Sequence, residues 1–346
     1  MKKVTVSAPG KLMLLGEHAV LFNKPCIVTA VNQRLRVTIE VLTAPEFQLN
    51  APDINVVNYK KQMDEIGKGD IPKGAKFIEI AVKNFLHIYH SCHSRERGNP
   101  VDINKAFLGK LRTVTIKGIK ITTKSEFSSE FGFGSSSAST VCTIKAMSEL
   151  FNLNLTQKEI FDLSYRTVLD VQGTGSGFDV AAAVYGGTLY FVTGGKTIEP
   201  LAVRHLPLVI GYSGIKADTV TLINQVKEKA RKYPGIIEGI YSSIAELVEL
   251  AKIKLLENDL VSFGQLMNVN QGYLEALGVS NNKLANMIYA ARLAGASGAK
   301  LSGAGGGDCI IAIAPEINRK SVKKAIIKAG GEIINVQANA QGVRIE

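Results

Sequence analysis

The chain has 346 residues, 46% hydrophobic and 21% charged, more than the ~100–200 residues of a usual single domain, and this balance excludes wholesale disorder and a collagen-like chain. The net charge of +11, from 41 basic against 30 acidic residues, suits nucleic acid, an anionic membrane or a phosphorylated metabolite. The lysines are scattered, there is no tryptophan, and aromatic and basic residues do not interleave, so nucleic acid is not the expected partner.

Met1-Lys2-Lys3 starts like a signal peptide, but Pro9, Gly10, Lys11, Glu17 and His18 interrupt its apolar core, and a cytoplasmic protein is expected. Ser7-Ala8-Pro9-Gly10-Lys11 leads into an apolar strand ending in Gly16-Glu17-His18. This places a cation and two ionisable groups at opposite ends of a buried element; a structural ion pair is the alternative. Leu35, Val37, Ile39 and Val41 alternate with Arg36, Thr38 and Glu40, the period-two pattern of a half-buried strand.

His87, His90, Cys92 and His93 carry metal-type ligands in a spacing that fits no zinc motif, and a histidine face at a helix end is the alternative. Ser94–Pro100 is charged and turn-rich, as expected of an exposed insertion. Thr113–Ile116 and Lys120–Thr122 read as β structure with Gly118 as a turn or bulge. Cys26, Cys92, Cys142 and Cys309 are too dispersed for a disulfide framework and are expected to be free thiols.

Gly132-Phe133-Gly134-Ser135-Ser136-Ser137-Ala138 opens a helix, in which Val141, Ile144, Met147, Leu150 and Phe151 recur every three or four residues. Glycines there let backbone approach a phosphate, the helix N-terminus offers free N–H groups, and a serine hydroxyl can ligate Mg²⁺. The serines could instead simply cap the helix. No Gly-Lys-Ser/Thr follows, so this is not a Walker A loop. The longest uncharged run, Val180–Gly195, is shorter than the ~18–20 residues of a membrane span and is broken by Gly186-Gly187, so no membrane helix is expected.

The second half begins with a strand at Leu206–Tyr212. Helical patterns follow at Asp218–Lys232, Ile236–Glu257 and Asn281–Ala294. A glycine loop, Gly303–Gly307, precedes an apolar strand at Cys309–Ile313, a Lys-rich helix at Ile317–Ala329 and a closing strand pair near Glu332–Val336 and Gly342–Ile345. Elements mix without the alternation of a doubly wound sheet, so the expected class is α+β. Two domains, 1–200 and 201–346, are expected. So many glycines near Gly303 suit close packing against a ligand or a tight interface turn.

These three stretches, in this order and covering the chain nearly end to end, resemble the GHMP kinase superfamily, which includes galactokinase, homoserine kinase, mevalonate kinase and phosphomevalonate kinase. The resemblance implies an N-terminal domain related to a ribosomal-protein fold, a ferredoxin-like C-terminal domain, and ATP with a small-molecule substrate in the cleft between them. Ala8–Lys11 through Gly16–Val20, and Met267–Ser280 on to Gly298–Gly305, look most like the mevalonate kinase branch. Gly175–Val180 and Gly307-Asp308-Cys309 look more like phosphomevalonate kinase.

The resemblance assigns Asp179 to the proton of the attacking hydroxyl and Lys11 to the developing charge beside it. It implies Gly132, Gly134, Ser135, Ser136, Ser137 and Ala138 around the ATP phosphates, and His18, Glu17, Gly303, Ala304 and Gly305 toward the substrate; Lys216 and Arg166 are the cations visible in the sequence that could meet the extra charge of a phosphorylated acceptor, and at most one is expected to reach the acceptor pocket. For Mg²⁺ it implies Ser136; the position of the usual metal-binding glutamate is Val168 here, with Asp170 as the candidate substitute. The implied reaction is ATP- and Mg²⁺-dependent phosphorylation of mevalonate, with 5-phosphomevalonate as the alternative acceptor and a non-catalytic metabolite-binding member of the fold as the rival of another class. No nucleic acid or membrane partner is implied, and a homodimer is compatible with the sequence without being fixed by it.

Overall fold

The structure is a computed structural model that describes residues 2–93 and 117–346. The side chains of His90, Cys92 and His93, the segment Ser94–Pro100 and the strand segment Thr113–Ile116 lie outside the described residues.

The first sheet is built around two long strands, β1 (Lys3–Leu15) and β2 (Pro25–Leu42), which pair antiparallel. Leu35, Val37 and Ile39 are buried while Arg36, Thr38 and Glu40 are half-exposed, as their alternation requires. β3 (Glu46–Ala51), β4 (Val56–Gln62) and β5 (Gly118–Ser125) extend the sheet on one side of β2. β3 and β5 run parallel. Gly118 is neither turn nor bulge: it opens β5 at a point where a Cβ would overlap the carbonyl oxygen of Ala44.

Helix α1 (Lys76–His93) packs on α2 (Ser135–Leu150) and α3 (Gln157–Gln172), and α2 lies on β1 and β2. A short helix, α4 (Phe178–Tyr185), precedes β6 (Thr188–Val192) and β7 (Thr197–Leu201). Helix α2 is buried almost all round despite its serines and threonines. Its hydroxyls turn back onto the helix: Ser139 and Thr140 donate to the Ser136 carbonyl at 2.9 and 2.8 Å, and Thr143 donates to that of Ser139 at 2.8 Å. These three buried hydroxyls are thereby satisfied within the helix, which lets small residues fill a crowded layer.

The second sheet contains β8 (Leu208–Tyr212), β9 (Gly298–Ser302), β10 (Cys309–Ile313) and β11 (Glu332–Ile334), all antiparallel in the order β11-β8-β10-β9. Between β8 and β9 run α5 (Thr219–Lys232), α6 (Pro234–Leu256), α7 (Leu260–Leu277) and α8 (Asn282–Leu293). Helix α9 (Glu316–Lys328) joins β10 to β11. This is the βαββαβ arrangement of a ferredoxin-like unit, so the molecule has the α+β, two-unit architecture expected.

The closing strand pair does not exist as a pair. β11 joins the second sheet, whereas β12 (Arg344–Ile345) returns to the first and pairs with β1. Arg34 anchors that return. Its guanidinium, 4% exposed, donates to Ser7 Oγ (2.6 Å) and to the carbonyls of Ser7 (2.9 Å), Gln341 (2.7 Å) and Gly342 (2.8 Å). One apolar core runs from the first sheet onto Leu208, Ile210, Ile311 and Ile313 of the second, which fixes the relative placement of the two sheets.

Candidate active site

The helix that opens at Ser135 is not capped by serine. Its cap is Gly134 in a left-handed conformation (φ 80), and Ser135, Ser136 and Ser137 form the first turn. The left-handed backbone explains the glycine, since L side chains rarely adopt it; a Cβ there would stand 3.3 Å from Lys11 Cε and 3.7 Å from Asp179 Cβ. Among the described residues, the N–H groups of Ser135 to Ser137 find no acceptor, so this end of α2 presents several free donors and the positive end of the helix dipole.

Asp179 lies in the first turn of α4, after the left-handed Gly177 cap. Its Oδ2 accepts from Ser137 Oγ at 2.5 Å and its Oδ1 from the Val180 N–H at 3.1 Å. The starts of α2 and α4 are thus tied together by one side-chain bond. Lys11, from β1, donates to the Gly132 carbonyl at 2.7 Å and lies 5.3 Å from the centroid of the Phe178 ring. A carboxylate, an ammonium and two helix N-termini converge on the glycine-serine loop. Such a site attracts and holds a polyanion while keeping one base beside it.

Opposite stands the glycine-rich loop that joins β9 to β10. Glu17 and His18, at the end of β1, are tied to it. Lys300 of β9 donates to Glu17, both being essentially sealed from water. Burial pushes the Glu17 carboxyl above its ordinary value and the Lys300 ammonium below its own, each being pulled back by the other. The ion pair weighed for this region therefore forms, but with Lys300 rather than Lys11. His18, at φ 60, donates from Nε2 to the Ala304 carbonyl at 2.9 Å, and burial holds its imidazole below the usual range. It is neutral at pH 7. Gly305 is pressed against the Val279 carbonyl, while the Cα of Gly303 faces open space.

Lys11, Gly132, Gly134, Ser135–Ala138 and Asp179 are thus brought together, and Glu17, His18 and Gly303–Gly305 form a second cluster. Asp170 is elsewhere engaged. It is exposed, and its Oδ2 accepts from Asn84 Nδ2 of α1 at 2.8 Å. Val168 is buried against Gly175. Lys216 and Arg166 are both exposed. Among the described residues no group of three or more His, Cys, Asp or Glu side chains could hold a metal ion. Ser137, Phe178 and Lys300 acquire definite contacts here that spacing along the chain did not announce.

Comparison with known proteins identifies the family. The sequence model for the GHMP kinases N terminal domain matches residues 102–187 and that for the GHMP kinases C terminal matches residues 246–332. The chain is 37% identical to the mevalonate kinase of Thermococcus gammatolerans over 99% of its own length and 98% of that protein. The chain belongs to the GHMP kinases. Members of the family use ATP. Among solved structures, the Methanococcus jannaschii mevalonate kinase superposes with a TM-score of 0.77 at 25% identity, covering 97% of this GHMP kinase and 98% of that chain. The Streptococcus pneumoniae phosphomevalonate kinase, solved with phosphomevalonate and AMPPNP, gives a TM-score of 0.78 at 17% identity over 98% and 100% of the two chains. That last likeness is one of fold alone.

Proposed function

We propose that this GHMP kinase transfers the γ-phosphoryl group of ATP to the terminal hydroxyl of mevalonate, giving 5-phosphomevalonate and ADP. The observation that carries the chemistry is the Asp179 carboxylate held by Ser137 beside Lys11 at two helix N-termini. The substrate follows from 37% identity over nearly the whole chain to a mevalonate kinase. We divide the chain near residue 200 into the two catalytic halves, with the tail that carries β12 returning to the first.

In this reading the acceptor hydroxyl gives its proton to Asp179 as its oxygen forms a bond to the γ-phosphorus, and the bond from that phosphorus to the β–γ bridging oxygen breaks. Lys11 favours the charge that develops on the transferred group and the attacking oxygen. The neutral His18 and the Glu17–Lys300 pair shape the acceptor wall, with Gly303–Gly305 leaving room for close approach. Lys216 lies at the rim.

The residues present fit a Mg²⁺ ion held chiefly by the nucleotide, with the Ser136 hydroxyl at the start of α2 as its protein ligand, because Mg²⁺ in such sites keeps phosphate oxygens and waters. Asp170, exposed and accepting from Asn84 through Oδ2 alone, is the further candidate ligand. When bound, the ion neutralises phosphate charge during transfer. We further read the protein as a cytoplasmic enzyme able to act as a homodimer, which fractionation and sedimentation would test.

Gly307-Asp308-Cys309 and the phenylalanine before Asp179 favour phosphomevalonate as the second reading. That acceptor brings about two further negative charges, which need partners inside the pocket; yet Lys216 and Arg166 are both exposed. A coupled assay offering both acceptors in parallel decides the matter. The expected kcat/KM ratio is at least about tenfold in favour of mevalonate, equivalent to about 1.4 kcal/mol. The opposite preference would replace this reading by the second.

A further inference from the structure

Asp308 stands where the glycine-rich loop enters β10, and its backbone is left-handed (φ 56), a conformation most L residues avoid. Three hydrogen bonds mount it on the 213–217 loop. Its N–H donates to the Ile215 carbonyl (2.7 Å), its carbonyl accepts from Ser213 N–H (2.9 Å), and Oδ1 accepts from Ala217 N–H (2.9 Å). The other oxygen, Oδ2, accepts no hydrogen bond among the described residues and lies against Gly132, where a Cβ would overlap it. The next residue repeats the contact, for Cys309 Sγ lies 3.4 Å from the Phe131 carbonyl as its donor. On its other side, Gly132 accepts from Lys11.

We propose that Asp308 is a positioning residue for phosphoryl transfer: fixed to the 213–217 loop, it braces Gly132 from the second half of the chain and so sets the place of Lys11. The proposal rests on the kinase reading above. Asp308 touches neither the acceptor nor the transferred group in this account; it acts through Gly132. The side chain is half-buried, and that burial raises its carboxyl above the usual range while the Ala217 N–H, Lys11 and Lys216 draw it back. A side chain kept in a left-handed, partly desolvated setting against a glycine is mounted for contact rather than left over from a turn.

The test compares the full-length wild type with Asp308→Gly and Asp308→Asn. Glycine tolerates the backbone angle and leaves both main-chain bonds of residue 308, so the thermal midpoint should stay within a few degrees. Without nucleotide or acceptor, amide exchange in the 127–138 segment should quicken at least tenfold in Asp308→Gly and remain unchanged elsewhere. With substrates, kcat should fall at least tenfold while KM for ATP stays within threefold. Asp308→Asn, whose amide oxygen still accepts from Ala217, should recover slow exchange and most of kcat.

Unaltered exchange in 127–138, a uniform rise over the whole chain, wild-type kcat in Asp308→Gly, or an equal loss in Asp308→Asn would each overturn the proposal. Should Asp308→Gly fail to fold, Asp308→Ser takes its place: its side chain is too short to reach Gly132, and the same split between kcat and KM is expected, wild-type kcat being the overturning result. If the wild type does not phosphorylate mevalonate, the proposed reaction falls, and the exchange comparison alone still decides the role of Asp308.

Discussion

Lys300 of β9 and Glu17, just after β1, meet as a buried ion pair that ties the second sheet to the first. Among the described residues Glu17 Oε2 meets no hydrogen-bond partner within bonding geometry. The pair's consequence is asymmetric. Taking away one partner strands the other charge in a dry setting, which typically costs about 3–5 kcal/mol, whereas replacing both can be close to neutral. Lys300→Met should therefore lower the urea midpoint sharply, and the double variant Lys300→Met with Glu17→Gln should recover most of it. Equal stability of wild type and single variant would show that the pair contributes nothing.

Ser137 and Asp179 make the second relationship worth altering. Asp179→Asn cannot take the acceptor's proton and should lose about 10²–10⁴-fold in kcat with nucleotide binding intact. Ser137→Ala leaves the base in place but unheld, and about a tenfold fall in kcat with little change in KM is expected. Turnover by Asp179→Asn within about fivefold of wild type would remove Asp179 from the proton-transfer role.

Lys11 bonds the Gly132 carbonyl and lies close to the Phe178 ring, so its charge is in place before any substrate arrives. Lys11→Met should depress kcat more than affinity for ATP. Were calorimetry to show ATP binding alone collapsing, Lys11 would serve as a clamp on the ground-state phosphates instead.

His18 makes the protein sensitive to acid. Burial holds its imidazole below the ordinary 6.5, so as pH falls below about 6.5 the unfolded chain binds a proton that the native site refuses. Stability then drops with falling pH until the native imidazole also titrates. The difference in thermal midpoint between wild type and His18→Gln should shrink from pH 7 to pH 5. A constant difference across that range would show that His18 does not titrate on unfolding.

Much of this was legible because it is local. The strict alternation from Leu35 to Val41 and the apolar run Cys309–Ile313 mark strands that the structure contains, and the switch to a three-to-four period after Ser135 marks α2. Helix α7 escaped notice because Gly264 and Gly272, with Asn268, Asn270 and Gln271, blur its apolar stripe. Gly264 has a different purpose, letting the helix close onto the backbone of Ser297 and Gly298. The pairing of β12 with β1 and the bond from Ser137 to Asp179 join residues far apart in sequence, and no periodicity reports such contacts. The glycine-serine loop showed which residues could meet a phosphate. That its cap is Gly134 rather than a serine follows from the left-handed turn the chain makes there, which only the structure shows.

The socket of Arg34 has a bearing on how the protein is made. Its acceptors are supplied by Ser7 near the start of the chain and by Gly342, 308 residues beyond Arg34 itself. A ribosome that has released β1 and β2 has therefore exposed a guanidinium whose remaining partners do not yet exist. The first sheet cannot lock shut during synthesis, although domains commonly fold in the order they emerge. Chains that stop before Gln341 would carry a buried cation with two of its acceptors missing, and cellular proteases would tell them from finished ones by that opening.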